Sequence, residues 1–365
     1  MAEVTPAPQA PSPQAPPQLD KKKSLILGAI GLVIIAIIFI KVIPQIGSYQ
    51  DALTALQSMT AAALVGIVLA VLLYLAWYGL PFVAAVPGLS YWPSFQLNQA
   101  AFAISNGVPA GGAFGLGIQY AMLASYDVTP TASTAAIGAV GVWSMFVTLL
   151  LPILGVMAIA ASGQAAGSYV YIGVIGLVVL VVMIVLFALI MRSEPLARTL
   201  GRWTNKIAGP LMRRLRKGRD LDVVPLIVKF RTDIVDLVRR RWSAITAAQL
   251  GVSITQFFIF FAALRGVENS GPATSIGVAF GAFAVAQIGL MIPLPPGGLG
   301  TVDATMIALL TGMGVSTGHA TAATLVWRAA SFVPQIAIGV LCLVTWSRRA
   351  ARTLAARQAT SVAGP

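Results

Sequence analysis

The run Val170 to Met191 holds twenty-two residues and no charge, enough to cross about 30 Å of hydrocarbon at about 1.5 Å of rise per residue. Its surroundings repeat the message. Apolar elements also run over 24–40, 61–86, 92–108, 112–125, 131–160, 243–264, 273–292, 302–313 and 318–346, separated by Gly, Pro and polar breaks. Only 10% of the chain is charged and 58% is hydrophobic, against about 25% charged in an ordinary soluble domain. The expected fold is all-α: a polytopic integral membrane helix bundle of about 8–10 membrane elements. At helical rise, 112–125 and 302–313 reach only about 20 Å, so they are read as short, broken or re-entrant helices.

Chemistry is bounded by what is scarce. Cys342 is the one cysteine and His319 the one histidine, which excludes an internal disulfide framework, a multi-Cys metal site and in-chain Ser-His-Asp or two-histidine metal chemistry. No catalytic residue, metal or cofactor is expected, and the chain is not expected to be an enzyme.

The net charge of +13 is gathered in three places. Lys21, Lys22 and Lys23 precede the first apolar run. Fourteen basic and five acidic residues lie between Arg192 and Arg241, and Arg348, Arg349, Arg352 and Arg357 close the chain. Under the positive-inside rule all three clusters, and with them both termini, are placed in the cytoplasm. No soluble module accompanies the charge, so nucleic acid is not an expected partner. The resulting division is a Pro-rich tail (1–23), a first membrane half (24–191), a basic amphipathic cytoplasmic segment (192–242), a second membrane half (243–346) and a basic tail (347–365). Within the middle segment Leu196, Leu200, Trp203, Ile207 and Leu211, and later Ile227, Phe230, Ile234 and Leu237, recur at helical spacing among basic residues. Such helices lie on anionic membrane lipids, and residues 192–241 are equally suited to docking a cytosolic protein.

The halves resemble each other at an offset of 187 residues. Pro109-Ala110-Gly111-Gly112 aligns within a residue with Pro296-Gly297-Gly298-Leu299, Val128-Thr129 with Val315-Ser316, and Thr134-Ala135-Ala136 with Thr321-Ala322-Ala323. Counting passes from a cytoplasmic N-terminus gives the two units opposite orientations, the arrangement in which many secondary transporters place a midplane site among broken helices. Keeping every basic cluster on one side then favours short, polar-lined crossings for 112–125 and 302–313.

The sharpest local feature is PLPPGGLGTVD, Pro293 to Asp303. Prolines stop the preceding helix, and Gly297, Gly298 and Gly300 admit backbone angles closed to other residues. Thr301 is placed to cap a new helix with Asp303 in its first turn, and free N–H groups at such a start suit an anion. Arg328 lies ten residues into an otherwise uncharged element, where an ionised side chain marks a site or a pair. Two readings stay open: a structural Asp303–Arg328 lock, or a site in which Arg328 takes a lipid phosphate while Asp303 receives an amine or a proton. Asn98, Gln99, Asn106, Gln119, Gln287 and Gln335 flank the two breaks and suggest a shared polar cavity. Gly277 and Gly281 read as a helix-packing pair. The candidate substrate-binding residues are therefore Arg328, Asp303, Gly297, Gly298, Gly300, Thr301, Gln287, Asn106 and Gln119.

PLPPGGLGTVD, followed by Gly314-Val315-Ser316, Trp327-Arg328 and Pro334, resembles the flippase-like transmembrane region of lysylphosphatidylglycerol synthases and their stand-alone relatives. That family typically shows a Pro-x-x-Pro-Gly-Gly-x-Gly turn, an acidic residue three positions on, and a helix with an arginine followed by a proline. In the first half the family often carries Gly-Glu-x-x-Arg and then Glu-Arg, where this chain has residues such as Gly115, Ile118, Val140 and Gly141; the charged site is present in one half only. With only a short basic tail after Trp346, an aminoacyl-transferase half is not expected. The resemblance implies a lipid flippase or transporter of the bacterial plasma (inner) membrane, moving or binding an amphiphile with an anionic head group such as a phospholipid or lipid-linked intermediate. The alternative is a membrane scaffold or accessory subunit that recruits an enzyme through its basic segment.

Overall fold

The computed structural model describes residues 54, 57–107, 111–163, 169–196, 198–199, 202–203, 205, 224–268, 273–291 and 296–362. The expected tail 1–23, the first helix 24–40, Pro109-Ala110 and Pro293 to Pro295 lie outside them. Every regular element among the described residues is helical. In chain order these are α1 (Ala61–Trp77), α2 (Leu80–Ala85), α3 (Tyr91–Gly107), α4 (Gly111–Ser125), α5 (Pro130–Ala161), α6 (Tyr169–Arg192), α7 (Val224–Val267), α8 (Ile276–Ala286, continued by a 3-10 turn, Gln287–Met291), α9 (Thr301–Gly312) and α10 (Thr317–Val362). Five stretches are long and apolar enough to cross a bilayer: Ala61–Ala85, Pro130–Ala161, Val174–Arg192, Ile234–Val267 and Thr317–Arg349. The chain is a multi-pass membrane protein. Helices satisfy the backbone internally where no water can do so, and Pro152 and Pro334 are tolerated inside α5 and α10.

The short elements are not crossings, contrary to the expectation from charge parity. α3 and α4 form one re-entrant hairpin: Gly111 abuts the Ile104 and Ser105 carbonyls at its tip, and at its mouth the Tyr126 hydroxyl donates to Gln96 Oε1 at 3.2 Å. The end of α4 is also tied to the end of α10, where Trp346 Nε1 donates to Ser125 Oγ at 2.8 Å. α8 and α9 form the second hairpin. It enters from the other end of the bundle, where Gly277 rests on Ala158 and Ser162 and where Leu309, Leu310 and Val315 share a core with Met59 and Val267. The two tips meet midway along α10. A Cβ on Gly297 would lie 2.8 Å from Asn106 Oδ1, and Phe102 and Phe332 pack edge to face at 5.3 Å. Hydropathy had counted apolar length and could not register that each pair turns back.

With both hairpins re-entrant, the parity conflict disappears. Met191 at the end of α6, Ile234 and Leu237 near the start of α7, and Trp346 near the end of α10 belong to one core cluster. The adjoining cations Arg192, Arg239 to Arg241, Arg348 and Arg349 therefore share one end of the bundle. Ile234 is fully buried there, so part of the stripe expected on the membrane surface is core; α7 runs unbroken through the boundary set at 242. Leu196 and Trp203 are exposed, and the remainder of that segment lies largely outside the described residues.

The 187-residue repeat is reproduced bond for bond. Val128 N–H donates to Leu123 O at 3.1 Å and Val315 N–H to Leu310 O at 3.0 Å. Asp127 and Gly314 both have positive φ, 59° and 93°. Thr129 Oγ1 accepts from Ala132 N–H as Ser316 Oγ accepts from His319 N–H. The first helix of each unit packs on the third helix of the other. α3 lies antiparallel to α10, since Gln96 faces Thr345, Gln99 faces Gly339 and Phe102 faces Phe332. α5 lies antiparallel to α8, with Gly155 against Ala284 and Val285 and Ile159 against Gly281. The triads α3–α5 and α8–α10 consequently run in opposite directions.

Small residues set both crossings. A Cβ on Gly339 would fall 2.3 Å from the Gln99 carbonyl oxygen, and backbone cannot yield as a side chain can. Gly339→Ala is expected to destabilise the bundle by about 1–3 kcal/mol, read as a lowered unfolding temperature of the purified protein in detergent.

Candidate functional site

The second hairpin tip is built by glycine. Gly297, Gly298 and Gly300 have φ of 68°, 63° and 85°, which returns the chain within three residues so that α9 can start beside α10. The cap differs from the expected one. Gly300 is the N-cap, its N–H donating to Asp303 Oδ2 at 2.8 Å, while Thr301 Oγ1 donates to the Gly289 and Gly298 carbonyls and pins the turn to α8.

Asp303 is wholly buried and Arg328 nearly so. Arg328 Nε and Nη2 both reach Asp303 Oδ1, at 2.8 and 2.7 Å, and Nη1 donates to Gly297 O at 3.1 Å. Its guanidinium also lies 4.6 Å from the Trp327 ring and 4.9 Å from Phe332. One planar fork thus neutralises the carboxylate and satisfies the turn. Of the two readings of this pair, the structure holds the lock. In this conformation Arg328 uses Nε, Nη1 and Nη2 within the pair and the turn, and neither Asp303 nor Arg328 lines the pocket bordered by Asn98 and Gln249.

That cavity, about 280 Å³, lies in the other half, among α1 to α5 and α7. Its position is informative. Leu116, Ile137, Val140, Gly141 and Ser144 line it; at the 187-residue offset these correspond to Asp303, Thr324, Trp327, Arg328 and Ser331. Where the second half places an aspartate, a tryptophan and an arginine, the first places leucine, valine and glycine. A Cβ on Gly141 would meet nothing within 4 Å. At the corresponding positions the second unit holds a buried ion pair where the first leaves open space.

Polar groups converge on this space. Asn98, Gln119 and Gln249 line it; Gln249 Nε2 donates to Val140 O at 3.0 Å, and buried Asn98 Nδ2 has no hydrogen-bond partner among the described residues. Of the expected site residues, Gln119 is therefore at the cavity, and Gly297, Gly298, Gly300, Thr301, Asp303 and Arg328 are together at the lock. Asn106 touches the junction of the tips, but its amide donates back to Phe102 O at 3.0 Å. Gln287 is buried near the second tip with Nε2 unpartnered among the described residues. Among the described residues, the expected site residues fall into two groups, one at the pocket and one at the ion pair. Tyr78, Ser144 and Gln249 went unrecognised in the sequence. The only signal was a glutamine inside the apolar run 243–264, because Tyr78 and Ser144 join the site through folding alone.

No curated protein matches the chain. Residues 28–339, which include both hairpins, match the family described as Lysylphosphatidylglycerol synthase TM region, and the chain belongs to that family.

Proposed function

We propose that this protein takes the head group of a membrane amphiphile into the cavity of the first hairpin and moves it between leaflets, acting as a flippase-like transporter and not as an enzyme. Membership of the family fits a membrane protein that acts on lipids. The observation that carries the finer reading is the asymmetry of the inverted units: the first borders a half-open pocket lined by uncharged side chains, while the second is held by the buried Asp303–Arg328 pair. Inverted repeats held in unlike conformations are what alternating access at a midplane site requires. The bundle end bearing Arg192, Arg239 to Arg241, Arg348 and Arg349 is proposed to face the cytoplasm of the inner membrane, against anionic lipid head groups.

The test is reconstitution of the full chain into vesicles that contain acyl-labelled phospholipids and glycolipids. On this reading, protein raises the fraction of label reduced by external dithionite above the outer-leaflet share for at least one lipid. Unchanged bleaching with every lipid would refute it.

A further inference from the structure

Resting on that transport reading, we infer that the head group taken by the cavity is uncharged and rich in hydroxyls, as in a glycosyl lipid, and neither the anionic group that the family resemblance implied nor an ammonium. Five of the lining residues have polar side chains, Tyr78, Asn98, Gln119, Ser144 and Gln249, and no lining residue carries a charge. A phosphate or ammonium brought into such a space leaves a desolvated ion with no counter-ion, whereas a hydroxyl needs only hydrogen bonds.

The donor and acceptor types point the same way. Asn98 lines the pocket with its Nδ2 buried and without a hydrogen-bond partner among the described residues. Gln249 gives one N–H to Val140 O and keeps a second N–H and its carbonyl oxygen, and Gln119 and Ser144 can likewise donate and accept. A site holding both kinds complements groups that donate and accept together. Phosphate oxygens only accept and ammonium only donates, so each would leave part of this set unmatched.

The repeat supplies an independent control. At the positions of Leu116 and Gly141 the other unit carries Asp303 and Arg328, so this scaffold can accommodate charge there, and in the cavity half it has none. Size agrees as well: about 280 Å³ is near the lower limit of about 300 Å³ for small-molecule sites. It holds one head group with its acyl chains outside. The apolar lining from Ile137 and Val140 suits the C–H faces of a sugar ring.

The test measures binding of three acyl-labelled lipids to the purified full chain in detergent: monoglucosyl diacylglycerol, phosphatidylglycerol and lysyl-phosphatidylglycerol. The glucosyl lipid should bind about tenfold more tightly than either charged lipid, and Asn98→Leu should weaken it about tenfold. Gln119→Glu guards against a folding artefact, because it should create binding of the cationic lysyl lipid, a gain that a misfolded protein cannot show. Equal or tighter binding of phosphatidylglycerol, or glucosyl binding untouched by both substitutions, would overturn the inference. Vesicles separate the two claims: movement of phosphatidylglycerol without glucosyl binding defeats this inference alone, whereas glucosyl binding without movement of any lipid defeats the transport reading alone.

Discussion

Replacing Arg328 with alanine is expected to lower stability by about 3–5 kcal/mol, because it strands the wholly buried Asp303 carboxylate without its counter-ion. The loss should appear as a drop in unfolding temperature in detergent and as poor recovery from membranes. Arg328→Lys should fail nearly as badly, since an ammonium cannot reach Asp303 Oδ1 and the Gly297 carbonyl with one rigid fork. The diagnostic variant is the double one. Asp303→Asn with Arg328→Gln removes both charges and keeps hydrogen-bonding groups on both sides, so it should recover much of the stability lost in either single variant. If instead Arg328→Ala unfolds like the parent protein, the pair is not a lock.

Filling the cavity should do the opposite: abolish function and spare the fold. Gly141→Leu enters space in which a Cβ meets nothing within 4 Å, so transport in vesicles is expected to fall at least about tenfold, with the unfolding temperature unchanged or raised. The same glycine tests the symmetry directly. Leu116→Asp with Gly141→Arg places in the first hairpin the pair that closes the second, and it should close the cavity with a second ion pair. The contrast with Gly339→Ala is physical. Both substitutions add volume at a glycine, but Gly339 faces the Gln99 backbone and Gly141 faces a void.

Much of the site could be read from local chemistry. Asp303 and Arg328 are the only opposite charges deep in the second half's apolar elements, so their pairing followed from the expense of leaving either alone. The glycines of the second break were equally legible, since few other residues tolerate the positive φ found at Gly297, Gly298 and Gly300. The cap was misassigned to Thr301 because a threonine at a helix start is the commoner solution. Here Gly300 holds that place and frees the threonine hydroxyl to bind Gly289 O. The cavity was misplaced for a different reason. It opens where the first unit has only Val140 and Gly141, a difference visible only against the larger equivalents Trp327 and Arg328.

By itself the sequence determined that this chain lives in a bilayer as helices, that its halves repeat, and that one half carries two opposite charges deep in its apolar elements. Each of these depends on residue type and spacing, quantities that burial in lipid acts on directly. The tertiary structure alone decided that the short helices turn back as hairpins from opposite ends, and that the open space lies in the uncharged half. Direction and void both depend on which surfaces meet across hundreds of residues, as Gly339 meets Gln99, and hydropathy along a single chain carries no term for that encounter.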